Sequence, residues 1–123
     1  MKWNHTGIKT ADLKKSLHFY CDILGFSRLE DVEVLGKIYH FVGNDTVNIE
    51  IEPCKPDDTQ ADMRQHSGLY HLCFTVDDIE KTAADLMAKG VEFMLPVSQF
   101  RPDRKISFIR DPDGVIIQLI QYL

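Results

Sequence analysis

Two histidines and two side-chain oxygen donors recur at matching places in this chain. His5 opens the stretch His5-Thr6-Gly7-Ile8-Lys9-Thr10-Ala11-Asp12-Leu13, and His71 opens its echo 66 positions later, His71-Leu72-Cys73-Phe74-Thr75-Val76-Asp77-Asp78-Ile79. Each half closes with one polar residue between apolar neighbours, Ile49-Glu50-Ile51 and Ile117-Gln118-Leu119, at an offset of 68. Neutral imidazole nitrogen with carboxylate or amide oxygen suits borderline divalent ions such as zinc, nickel, cobalt, iron or manganese. Two copies of one small unit, each offering a histidine and an oxygen donor, can converge on one ion held by His5, Glu50, His71 and Gln118.

The elements that must position these residues follow from local pattern. Residues 3–10 alternate as a strand, and Asp12 is the N-cap of a helix with apolar positions at Leu13, Leu17, Tyr20 and Leu24, ended by Gly25. Strands follow over Phe26–Glu33, Ile38–Val42 and Val47–Glu52, with turns at Gly36 and at Gly43-Asn44-Asp45. Residues 53–68, with Pro53, Pro56, several charges and few large apolar side chains, read as a linker. The order then recurs: a strand over 69–76, a helix capped by Asp78 with Ile79, Ala83 and Leu86 on one face and Gly90 at its end, and strands over Val91–Leu95, Ile106–Ile109 and Val115–Leu123. Phe41-Val42-Gly43-Asn44-Asp45 aligns with Phe108-Ile109-Arg110-Asp111-Pro112, and an extra residue in the second turn accounts for the changed offset. The expected organisation is one domain over 1–123, built from a βαβββ unit over 1–52, the linker 53–68 and a second βαβββ unit over 69–123.

In the closing strands, alternation puts Asn48, Glu50 and Glu52 on one face and Gln118 on a face with Ile116 and Ile120. A glutamine flanked in that way is expected to be buried, and a buried amide needs partners. Each residue also has a plain reading. His5 or His71 alone fits a hydrogen-bonded strand histidine, Glu50 alone an exposed rung beside Glu52, and Gln118 alone a rim residue. His18 on the first helix and His66 in the linker read as solvated, and His40 is a weaker alternative ligand with no partner at its repeat-equivalent position. Four matched positions in two copies favour the metal site.

Bulk properties bound the function. The 123 residues carry a net charge of −5 and an apolar fraction of 44%. The negative balance offers no basic surface for nucleic acid or an anionic membrane, and no apolar run approaches the ~20 residues that cross a bilayer. Met1-Lys2-Trp3-Asn4-His5 has no signal-peptide h-region. Cys21, Cys54 and Cys73 are odd in number without C-x-x-C spacing, which argues against a disulfide framework or thiolate zinc site. A reducing, cytoplasmic setting is the expectation.

The assembled pattern resembles the vicinal oxygen chelate superfamily, which includes glyoxalase I, methylmalonyl-CoA epimerase, extradiol dioxygenases and bleomycin- or fosfomycin-resistance proteins. The resemblance covers essentially the whole chain. It rests on His5 with Asp12-Leu13, Ser16-Leu17-His18-Phe19-Tyr20 and Leu24-Gly25-Phe26, then on His71 before Val76-Asp77-Asp78. Phe108-Ile109-Arg110-Asp111-Pro112-Asp113-Gly114 running into Ile117-Gln118-Leu119 completes it. It implies an α+β fold in which paired βαβββ units form an open, cup-shaped mixed β-sheet with flanking helices. It implies ligands on the first and last strand of each unit, here His5, Glu50, His71 and Gln118, and a homodimer.

Glyoxalase I is the nearest comparison by strand order and ligand type, and it isomerises the hemithioacetal of a 2-oxoaldehyde to a thioester. Its bacterial members usually carry glutamate, the favoured base, where this chain has Gln118. The approximate twofold relation of the halves leaves Glu50 to take that role, and the epimerase likewise mixes Gln and Glu among its ligands. Two further readings remain open: a metal-free small-molecule binding protein of the bleomycin-resistance kind, and an iron-dependent dioxygenase with His5, His71 and Glu50 as its triad. Arg101, Arg104 and Lys105 gather in an expected loop that could meet a carboxylate or phosphate. Trp3, Tyr39 and Phe100 serve equally as cup lining or as packing.

Overall fold

The computed structural model describes residues 1–65 and 67–123; His66, assigned to the linker on sequence, lies outside them. The described chain divides into two compact units, Met1–Thr59 and Gln60–Leu123.

In the first unit, β1 (Thr6–Thr10) leads to α1 (Leu13–Leu17) and a π-helical turn (His18–Ile23), then β2 (Ser27–Val34), β3 (Lys37–Gly43) and β4 (Asn48–Pro53). These strands form one mixed sheet in the order β1-β4-β3-β2, with β1 parallel to β4 and the remaining pairs antiparallel. The second unit repeats the plan with β5 (Leu72–Thr75), α2 (Ile79–Ala88), β6 (Glu92–Arg101), β7 (Arg104–Arg110) and β8 (Ile116–Tyr122), in the order β5-β8-β7-β6. The two four-stranded mixed sheets and the βαβββ order match the reading of the sequence. Among the described residues no helix is long and apolar enough to cross a membrane.

Equivalent residues build equivalent local structure. Asp12 and Asp78 accept the backbone N–H groups of Lys15 and Lys81, capping the two helices. Before the closing strands, Asn44 Oδ1 accepts from the N–H of Thr46 and of Val47, and Asp111 Oδ1 accepts from the N–H of Asp113 and of Val115. Both are Asx turns, in which a short side chain replaces a backbone acceptor. A Cβ at Gly43 would meet the Val47 carbonyl, so glycine is required where the chain turns into β4.

Each sheet has one apolar face under its helix. Ile8, Val42, Ile49 and Ile51 are buried in the first unit, and Ile109, Ile117 and Leu119 with Ile79, Ala83 and Leu86 of α2 in the second. A one-residue slip would turn these side chains to the wrong face, so burial fixes register and with it the side chains opposite.

Three expectations change. The strands begin at Thr6 and Leu72, so His5 and His71 each stand one residue before a strand rather than on it. The first helix does not run unbroken to Leu24; it changes at His18 to i→i+5 bonding, seen in the Leu24 N–H donated to the Phe19 carbonyl. β6 runs on past Leu95 through Pro96 to Arg101. Register shifts against β7 accommodate the proline, which donates no ladder hydrogen bond.

Candidate metal centre

In the first unit, parallel pairing sets Gly7 level with Glu50, and antiparallel pairing sets Phe41 on the other side of Glu50. Paired residues share a face, so Gly7, Glu50 and Phe41 lie on the side opposite the helix. His5, two residues before Gly7, joins them. Its ring meets Phe41 edge-to-face at 5.4 Å, and its Nε2 lies 3.5 Å from Glu50 Oε2. His5 Nδ1 is 2.5 Å from Asn4 Oδ1.

The second unit repeats the register and the ring contact. Cys73 and Phe108 flank Gln118 in register, and the His71 ring meets Phe108 edge-to-face at 5.6 Å and 88°. Tyr70 packs against the other side of that ring, at 4.7 Å. His71 Nδ1 is buried and has no hydrogen-bond partner among the described residues. Gln118 is half-buried rather than fully buried. Cys73, where the first unit has Gly7, is a free exposed cysteine whose thiol burial nonetheless pushes up, which keeps it protonated at neutral pH.

The donors present fit an ion. Two ligands about 2.0–2.2 Å from one cation and adjacent in its shell stand about 3–3.5 Å apart, and the His5–Glu50 separation of 3.5 Å meets that spacing. His71 Nδ1, unlike His5 Nδ1, is buried without a hydrogen-bond partner among the described residues. Among the described residues, no group of three or more His, Cys, Asp or Glu is placed to hold a metal ion. The first unit by itself brings together His5 and Glu50, two of the four donors expected, while in the second His71 and Gln118 are each neighbours of Phe108.

The remaining candidates are occupied elsewhere. His40 Nδ1 lies 2.9 Å from Asp31 Oδ1, and the Arg28 guanidinium, then His40, hold that carboxyl below its usual range. His18 is exposed and pairs with Asp22. Arg101 and Arg104 lie at the β6–β7 hairpin rather than in a free loop. Both contact Asp103, whose carboxyl Arg104 holds down at about 2. Lys105 pairs with Glu80 on α2. The three cations thus have acidic partners and form no free anion patch. Trp3 and Phe100 are exposed, and Lys37 sits over the Tyr39 ring.

Of the four donors expected from the sequence, His5 and Glu50 are brought together, and the expectation left out their companions, Phe41 and Phe108 beside the rings and Asn4 at His5 Nδ1. The aligned stretches Phe41–Asp45 and Phe108–Pro112 held the signal for the phenylalanines.

A family model described as the Glyoxalase/Bleomycin resistance protein/Dioxygenase superfamily matches residues 2–119. A probable lactoylglutathione lyase of Synechocystis is 33% identical over 95% of this chain and 92% of its own length. A lactoylglutathione lyase of Schizosaccharomyces pombe is 31% identical over 97% of this chain, which spans 47% of that longer protein. A glyoxalase family protein from Enterococcus faecalis has the same fold, with a TM-score of 0.82 and 25% identity over 97% of this chain and 96% of its own.

Proposed function

This chain belongs to the glyoxalase/bleomycin resistance protein/dioxygenase superfamily, and from that premise we propose that it is a glyoxalase-like, metal-dependent lyase or isomerase. It removes a proton next to a carbonyl of a small chelating substrate, either the hemithioacetal of a 2-oxoaldehyde or an acyl-CoA thioester. His5, Glu50, His71 and Gln118 hold one divalent ion, in a homodimer. The observation that carries this reading is the imidazole and carboxylate of the first unit, His5 and Glu50, 3.5 Å apart on the sheet face opposite the helix; His71 against Phe108, with Gln118 level with Phe108, supports it from the second unit.

When bound, the ion stabilises negative charge developing on neighbouring substrate oxygens. The chain supplies the rest. Glu50 takes the carbon-bound proton, being the one carboxylate among the four. The amide of Gln118 offers its oxygen without competing for that proton. His5 and His71, held edge-on by Phe41 and Phe108, keep their ring planes fixed.

Elemental analysis of protein prepared without an affinity tag tests this directly. Stoichiometric divalent metal is expected, together with its loss in His5→Ala under an unchanged circular-dichroism spectrum. A wild-type protein that takes up no divalent metal ends the reading.

A further inference from the structure

We infer that Asn4 is a positioning residue that holds His5 in its Nδ1–H form and so keeps the Nε2 lone pair on the side of Glu50. Two acceptors compete for the single proton of the neutral imidazole. Asn4 Oδ1 lies 2.5 Å from Nδ1, whereas Glu50 Oε2 lies 3.5 Å from Nε2. N–H···O bonds reach to about 3.2 Å between heavy atoms, so of the two acceptors only the amide oxygen stands within reach of a ring N–H. The free imidazole tends the other way, toward Nε2–H, and in that form the nitrogen facing Glu50 would have no lone pair to give. Ligating histidines are commonly fixed by such an acceptor on the far nitrogen.

The second unit supplies the internal contrast. Tyr70 stands where Asn4 stands, and it offers a ring contact to His71 while His71 Nδ1 keeps no partner among the described residues. The lock therefore belongs to the first unit, and the two histidines are unequal.

The importance of this lock to an ion rests on the metal reading above; the tautomer itself does not. Long-range 1H–15N correlation spectra of metal-free, full-length protein at about pH 8, above the ordinary histidine pKa, read it directly. The wild type should show His5 as Nδ1–H. Asn4→Ala should move it toward Nε2–H with the His71 pattern unchanged. Asn4→Asp, which can only accept, should keep Nδ1–H. Asn4 is exposed and precedes β1, so these variants keep the fold. A wild-type His5 in the Nε2–H form, or an Asn4→Ala protein that retains Nδ1–H, overturns the inference. Titration with Zn2+ alone then separates the two ideas. Asn4→Ala should bind about tenfold more weakly, and equal affinity overturns the link between lock and ion. A wild type that binds no Zn2+ overturns the proposed function while leaving the tautomer result intact.

Discussion

Between the first unit and the second, the backbone plan stays constant while the sheet face opposite the helix changes character. Glu50 gives way to Gln118, Gly7 to Cys73, Asn48 to Ile116 and Glu52 to Ile120. Glu52 is ion-paired with Lys37, whereas Ile116 and Ile120 are buried at 2% and 8% exposure. The helix-facing side shows no such drift, since Ile49 and Ile51 correspond to Ile117 and Leu119 and all four are buried. Apolar burial under the helix pins the register, and each removed CH2 costs about 0.8 kcal/mol. The opposite face is where the two units diverge, polar beside Glu50 in the first and apolar beside Gln118 in the second.

Exchanging the two oxygen donors strains that comparison hardest. Glu50→Gln keeps the shape and removes the proposed base, so exchange of the substrate's carbon-bound proton should fall about 10²–10⁴-fold while metal content holds. Gln118→Glu alone should not lower the rate. The double exchange should recover much of the loss if the units are interchangeable carriers. Deuterium incorporation from solvent measures all three, and an undiminished rate in Glu50→Gln would take the base out of the first unit.

What the sequence disclosed follows the same division. The βαβββ order and the caps at Asp12 and Asp78 were legible because they rest on local pattern. Glu50 and Gln118 stood out as polar residues in apolar strands, and His5 and His71 by their matched places in the two halves. Pro96 read as a strand end because alternation registers no bulge: between Phe93 and Arg101 the register shifts three times against β7. The π-helical turn at His18–Ile23 was hidden because apolar spacing at Leu17, Tyr20 and Leu24 serves i→i+4 and i→i+5 bonding alike. Asn4 was invisible as a partner because one side-chain hydrogen bond leaves no period.

The histidines sharpen the contrast at smaller scale. His5 has a partner at Nδ1, and His71 has a buried Nδ1 with none among the described residues. An unsatisfied buried polar atom costs about 1–3 kcal/mol. His71→Phe, placed between Tyr70 and Phe108, should therefore raise the stability of the metal-free protein by about 1 kcal/mol. His5→Phe should bring no such gain, because its nitrogen is already satisfied. Urea denaturation of the two metal-free variants decides this, and equal effects would mean that the two rings sit in equivalent settings.

The smallest expected effect comes from the hairpins at corresponding places in the two units. Leu35-Gly36 joins β2 to β3 with φ of 52° and 78°, the positive pair that a primed two-residue turn demands. That turn matches the strand twist, and the ladder beside it runs in unbroken register from Glu30 to Val34. Pro102-Asp103 joins β6 to β7 with neither residue at positive φ, and the ladder beside it shifts between Ser98 and Arg101. The first unit thus puts a non-glycine residue in the left-handed region at its hairpin, whereas the second turns there without one and shifts register along β6. Leu35 is fully exposed, so its side chain gains nothing from packing that would offset the left-handed backbone. Leu35→Asn, which tolerates that conformation, should stabilise the protein by roughly 0.5–1 kcal/mol, read as a shift in the urea midpoint. Asp103→Asn has no left-handed strain to relieve and should give no comparable gain. A Leu35→Asn protein no more stable than wild type would show that the leucine's left-handed backbone carries no cost there.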